Sequence, residues 1–116
     1  MTIRVLVADD QELVRAGFRM IIDDASDMEV VAEAENGADA VALARDLRPD
    51  VCVMDVRMPV LDGLDATRLL AGPDVAAPLR VVVVTTFDLD QYVFTALQNG
   101  ASGFLLKNAG PTLLLE

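Results

Sequence analysis

The chain has no histidine, and its 116 residues include a single cysteine. Without histidine it has no Ser–His or Cys–His nucleophile pair, no histidine acting as general acid or base, and no histidine-ligated zinc. One cysteine forms no internal disulfide, and the N-terminus lacks a signal-peptide pattern. No apolar run reaches the roughly 18 residues that a membrane-spanning helix needs. We therefore expect a cytoplasmic protein without membrane association.

Basic residues are scarce, because nine lysines and arginines stand against 19 acidic residues and leave a net charge of −10. A surface this acidic repels the phosphates of nucleic acids and anionic lipids, so we do not expect this chain itself to bind DNA. Hydrophobic residues make up 53% of the sequence, which excludes a disordered chain and allows a core. The length suits one domain, residues 1–116.

Five short aliphatic segments predict β-strands. They lie at residues 3–8, 28–34, 51–54, 80–85 and 103–106. Three of them are nearly continuous valine-rich runs, which is typical of strands buried on both faces of a parallel sheet. The second segment carries Glu29 and Glu33 and is predicted to be an edge strand.

Four segments of helical periodicity separate these strands. They lie at residues 11–23, 37–47, 64–70 and 90–99. In the first, the core-facing stripe is formed by Val14, Phe18, Ile21 and Ile22. Arg15 and Arg19 are predicted on the solvent side. The alternation indicates a doubly wound α/β fold with a parallel sheet covered on both faces. At most six residues follow Gly110, so we expect a truncated fifth helix and a chain cut from a longer protein.

Polar side chains stand at the ends of four predicted strands. They are Asp9 and Asp10, Asp55, Thr85, and Lys107, which is the one lysine of the chain. In open α/β sheets the carboxyl ends of the strands form the ligand-binding edge. Two carboxylates 4 Å apart repel by roughly 4 kcal/mol at an effective dielectric constant of about 20, so a cluster of three either raises a carboxyl pKa or holds a cation. Ligands that are all oxygen favour Mg²⁺ or Mn²⁺. Together with a lysine ammonium and a threonine hydroxyl, such a metal site suits phosphoryl transfer.

These five positions, in this order, resemble the receiver domain of bacterial two-component response regulators, from residue 3 to about residue 110. The resemblance rests on the acidic pair, on V-M-D-V-R-M-P-V-L-D-G around Asp55, and on G-A-S-G-F-L-L-K ending at Lys107. The stretch V-V-V-T-T-F-D is similar to the NarL/FixJ, or LuxR-type, branch. The resemblance implies a flavodoxin-like (CheY-like) sheet of order 2-1-3-4-5 and a C-terminal helix-turn-helix effector domain absent from this chain.

The resemblance also implies a role for each matched residue. Asp55 would accept a phosphoryl group from a sensor histidine kinase, and the protein would be a switch with slow autodephosphorylation rather than an enzyme. Mg²⁺ would be held by Asp10 directly, Asp9 mainly through water, Asp55, and the backbone carbonyl of Arg57. Phosphoryl binding and switching would involve Thr85, Phe104 and Lys107. The re-shaped face would control transcription through the effector domain, and homodimerisation is a further option.

Less specific interpretations stay open for the same residues. Asp9 or Asp10 could simply cap the first helix, Thr85 could be only a strand former, and Phe104 only a core aromatic. Three departures from the family pattern, namely Thr86, Asn108 and the missing C-terminal tail, leave room for a receiver-like interaction module that works without phosphate.

A small aspartate-nucleophile phosphatase is the third alternative. Such enzymes carry an acid–base aspartate two residues beyond the nucleophile, whereas this chain has Arg57 there.

Overall fold

In the computed structural model, described here for residues 2–85 and 90–106, five strands and four helices alternate along the chain. The elements are β1 Ile3–Ala8, α1 Glu12–Asp24, β2 Met28–Ala34, α2 Gly37–Leu47, β3 Val51–Asp55, α3 Gly63–Ala71, β4 Val81–Thr85, α4 Asp90–Gln98 and β5 Gly103–Leu106. Each of the five predicted strands and four predicted helices that separate them is present, with boundaries that shift by one residue at most. Thr86, Lys107, Asn108 and the predicted fifth helix lie outside the described residues.

All strand pairs are parallel, and the strand order is β2-β1-β3-β4-β5. The predicted flavodoxin-like sheet and its order are therefore confirmed, with β2 at one edge. The register pairs Ala8 with Met54, Asp55 with Val84, and Thr85 with Leu106. The carboxyl ends of β1, β3, β4 and β5 consequently lie at the same edge of the sheet.

Buried side chains form one core on each face of the sheet. The larger core joins alternate residues of the central strands, such as Leu6 and Met54, to α2, α3 and α4. The smaller core contains Val7 and Val84 of the sheet and Ile22 of α1. Among the described helices, α1 is the one that packs on that face. No helix within residues 2–85 and 90–106 has both the length and the apolar character that crossing a bilayer requires.

Helix α1 departs from its predicted pattern at Arg15. Ile22 is buried and Phe18 packs against the smaller core, as expected. Arg19 is exposed, but the prediction that Arg15 faces solvent is wrong, because that residue is only 8% exposed. Its guanidinium group donates to the backbone carbonyl of Asp9 and pairs with Glu33 of β2. A buried arginine is stable where such partners satisfy its charge.

Candidate functional site

Three carboxylates meet at the carboxyl edge of the sheet. Asp9 and Asp10 follow β1, and Asp55 is the last residue of β3, the strand next to β1. One oxygen from each carboxylate lies within 4.8 Å of the others. Asp10 is exposed, whereas Asp9 is buried and Asp55 is 6% exposed. The predicted convergence of these three side chains is confirmed.

The arrangement of these three carboxylates fits a divalent metal ion. Three carboxylates at this spacing repel one another in a partly buried site, and a cation between them removes that repulsion. The donors are all oxygens, and the cluster contains no sulfur or imidazole. Such a donor set favours Mg²⁺ or Mn²⁺ over zinc.

The conformation of Asp9 is fixed through its side chain and its backbone. Its Oδ1 atom accepts a hydrogen bond from the backbone N–H of Gln11 at 2.9 Å. Its own N–H donates to the carbonyl of Ala34 in β2 at 3.0 Å, and its carbonyl accepts from Arg15 at 2.7 Å. The N-cap residue of α1 is Gln11, which makes no side-chain cap bond. Helix capping therefore does not account for either aspartate.

The loop after Asp55 folds back on the strand that carries it. The N–H of Gly63 donates to the carbonyl of Val56 at 2.8 Å. A Cβ atom on Gly63 would overlap the backbone carbonyl of Asp55, so no side chain fits there. Asp62 caps α3, because its carboxylate accepts from the backbone N–H of Asp65 at 2.8 Å. These contacts anchor the backbone on the carboxyl side of Asp55.

Val60, within the same loop, has a left-handed backbone conformation with φ of 71°. This region is unfavourable for a β-branched residue, and it costs an L-residue roughly 1–2 kcal/mol. The side chain is 83% exposed, so no burial of apolar surface offsets that cost. Residues held in strained conformations are common in loops that line functional sites.

An open cavity of about 460 Å³ adjoins the carboxylate cluster at Asp10. It is lined by Asp10, Val56, Arg57, Met58, Pro59, Asp62, Leu64 and Tyr92. The exposed guanidinium group of Arg57 donates to the hydroxyl of Tyr92 on α4 at 3.4 Å. Sequence reasoning predicted Arg57 at the site but not Tyr92, because 35 residues separate the two and no sequence motif connects them. The predicted metal contact of the Arg57 carbonyl stays a prediction.

The predicted switch residues lie on the two strands beyond β3. Thr85 is the last residue of β4 and is buried. It follows Val84, which pairs with Asp55 across the sheet. Phe104 of β5 pairs with Val83, is half-buried and packs against the larger core. Thr85 is level with Leu106, the residue that precedes Lys107 in the sequence. Lys107 itself lies outside the described residues.

Cys52 is fully buried in β3, where it packs as a small apolar side chain in the larger core. Burial in this apolar core raises the pKa of the thiol to about 12, although the charge of Arg48 lowers it slightly. Because the thiolate is the reactive form, we expect this buried thiol to be a poor nucleophile at neutral pH.

Comparison with known proteins gives consistent matches over nearly the whole chain. Residues 5–116 match the response regulator receiver domain family. The uncharacterized transcriptional regulatory protein YxjL of Bacillus subtilis is 44% identical over 117 residues, which cover 98% of this chain and 51% of that protein. The chain thus spans about half the length of such curated relatives.

Two solved structures resemble the fold closely. The response regulator domain of Thermotoga maritima CheB has a TM-score of 0.86 and 40% identity, covering 96% of this chain and 82% of that one. The receiver domain of the putative response regulator NarL from Mycobacterium tuberculosis has a TM-score of 0.89 and 37% identity. That match covers 96% of this chain and 88% of the other.

Proposed function

This chain belongs to the response regulator receiver domain family, and from that premise we propose that Asp55 is its phosphoacceptor. The observation that carries the proposal is the cluster of Asp9, Asp10 and Asp55, in which one oxygen of each carboxylate lies within 4.8 Å of the others. Asp55 is the carboxylate at the end of the central strand β3, and the acidic pair that follows β1 lies beside it. That pair suits metal binding and leaves Asp55 as the nucleophile.

Mg²⁺, or Mn²⁺ in its place, would be held by Asp9, Asp10, Asp55 and the backbone carbonyl of Arg57. When bound, the ion neutralises charge on the phosphoryl oxygens. The protein groups supply the rest of the site. Thr85 would donate its hydroxyl hydrogen to the phosphoryl group, and Lys107 would pair with the phosphoryl oxygens.

The proposed reaction transfers a phosphoryl group from a phosphohistidine of a sensor histidine kinase. One oxygen of Asp55 forms the new P–O bond as the P–N bond breaks. The bonding electron pair leaves with the imidazole, which takes up a proton. Movement of Thr85, with a change of rotamer at Phe104, would then re-shape the surface formed by α4, β5 and the predicted fifth helix. New charge-assisted hydrogen bonds bias such a two-state element, and a 100-fold shift in population needs only about 2.7 kcal/mol.

The output of this switch belongs to a longer protein. Because curated relatives are about twice as long and include transcriptional regulators, we infer that the whole protein controls transcription through a C-terminal helix-turn-helix domain. A cytoplasmic location follows from a kinase partner that uses cytoplasmic ATP. The net charge of −10 makes DNA contact by the receiver itself unfavourable, and a homodimer is a further proposed partner state.

The test is phosphorylation by a small-molecule donor. The protein is incubated with acetyl phosphate and Mg²⁺, and its intact mass is measured for the addition of one phosphoryl group. We expect the adduct in the wild-type protein and in Asp46→Asn, a control at an exposed aspartate of α2, but not in Asp55→Asn. An adduct that survives in Asp55→Asn would refute the assignment. Poor Mg²⁺ binding together with the absence of any adduct would favour the module that works without phosphate.

A further inference from the structure

Arg15 joins the acidic site to the edge of the sheet. It lies on α1, one turn after the loop that carries the acidic pair, and its side chain is buried. One guanidinium nitrogen donates to the carbonyl of Asp9 at 2.7 Å. The Nε atom pairs with Glu33 of β2 at 3.4 Å, and the other terminal nitrogen lies 3.9 Å from Glu35. A planar guanidinium group can satisfy these acceptors together, which a lysine ammonium on one stem does less well.

The Asp9 carbonyl is part of the peptide group that joins Asp9 to Asp10. The orientation of this carbonyl fixes the plane of the peptide, and the Cα atoms that carry both carboxylate side chains lie in that plane. The N–H of Asp9 is already bound to the carbonyl of Ala34 in β2. The carbonyl of Asp9 accepts from Arg15 of α1, so both the N–H and the carbonyl of Asp9 are hydrogen-bonded.

Arg19 provides an internal comparison one helical turn further along α1. It also pairs with Glu33, so the two arginines share one carboxylate. Arg19 is more than half exposed, however, and within the described part of the chain its ion pair is with Glu33 and not with Asp9. The two residues thus differ in the hydrogen bond to the Asp9 carbonyl, in the longer contact with Glu35 and in burial, while they share the ion pair with Glu33.

We propose that Arg15 is a positioning residue that holds the Asp9–Asp10 peptide in its metal-binding orientation and thereby sets the affinity for Mg²⁺. The inference rests on the proposed function, because it assumes that the three carboxylates bind this ion. Groups that orient metal ligands from behind typically change metal affinity by about 10- to 100-fold when they are removed.

The sign of the effect separates positioning from simple electrostatics. If Arg15 acted only as a positive charge near the acidic cluster, its removal would strengthen Mg²⁺ binding, because one repulsive charge would be lost. If Arg15 positions the peptide, its removal weakens binding despite the same loss of charge. Glu33 stays paired with Arg19 in either case.

The experiment measures the Mg²⁺ dissociation constant by calorimetry for the wild-type protein, Arg15→Met and the matched control Arg19→Met. Methionine keeps an unbranched apolar stem and removes every donor. We expect the dissociation constant to rise about tenfold in Arg15→Met and to change less than about twofold in Arg19→Met. Urea unfolding of the same proteins shows that the titrated samples are folded. If Arg15→Met does not fold, Arg15→Lys replaces it, with an expected severalfold rise.

Binding in the Arg15 variant that equals or exceeds the wild-type affinity would overturn the proposal, as would equal weakening in both variants. These results would leave the proposed function intact, since the wild-type protein would still bind the ion. If the wild-type protein binds no Mg²⁺ and accepts no phosphoryl group, the proposed function and this inference fail together.

Discussion

Replacing Gly63 by alanine will disturb the backbone that carries the proposed phosphoacceptor. Gly63 begins α3 and lies directly against the carbonyl of Asp55. The added methyl group would overlap that carbonyl oxygen and press on the side chain of Met54. The carbonyl belongs to a central strand, so relief requires movement of β3 or of the start of α3.

The cost of this substitution follows from overpacking. Inserting a methyl group into a well-packed region typically costs about 1–3 kcal/mol. The gain in helix propensity from glycine to alanine, about 1 kcal/mol in a helix interior, is smaller at a first helical position. We therefore expect the free energy of unfolding to fall by about 1–3 kcal/mol. With urea slopes of about 1–3 kcal/mol per molar, the midpoint falls by roughly 1 M.

Gly17 offers a matched control for the assay by urea denaturation. It lies inside α1, and a Cβ atom there meets nothing within 4 Å. Gly17→Ala should therefore stabilise the protein by about 0.5–1 kcal/mol, the opposite sign. Gly63→Ala should also bind Mg²⁺ more weakly than Gly17→Ala does. Equal stability of Gly63→Ala and the wild-type protein would refute the inferred steric conflict with Asp55.

Three further substitutions or measurements test other parts of the structure. Val60→Gly should raise the free energy of unfolding by about 0.5–1 kcal/mol, because glycine accepts the positive φ without strain; a loss of stability would contradict this. Asp62→Ala should lower it by about 1 kcal/mol through loss of the α3 cap, and an unchanged urea midpoint would count against the cap. Burial raises the pKa of Cys52 from 9.0 to about 12, so the unfolded chain loses its thiol proton first and stability should fall by about 1.4 kcal/mol per pH unit across that window. Replacement by alanine should remove that part of the pH dependence, and an identical slope without the thiol would show that other groups cause it.

The carboxylate cluster was predictable because it depends on topology alone. Valine-rich segments alternating with helical periodicity determine a parallel sheet, and in such a sheet the residues that end β1 and β3 meet at one edge. Asp9, Asp10 and Asp55 are those residues, so their convergence needed no side-chain detail. The pairing of Arg57 with Tyr92 depends instead on how the α4 helix packs beside the loop after β3, which neither segment encodes alone.

Arg15 shows why the helical pattern was insufficient for α1. Helical periodicity assigns charged residues to the solvent-exposed face, because it distinguishes only an apolar core from water. It does not account for a charged partner on a neighbouring strand. Here β2 lies next to β1 in the sheet, so the strand register brings Glu33 level with Val7, two residues before Asp9. A long side chain from the first turns of α1 then reaches both a carboxylate of β2 and the carbonyl at the end of β1. Burial of Arg15 therefore follows from the strand order, which places β2 and β3 on opposite sides of β1. Glu33 of β2 pairs with Arg15, which binds the Asp9 carbonyl, and β3 carries Asp55, the proposed phosphoacceptor.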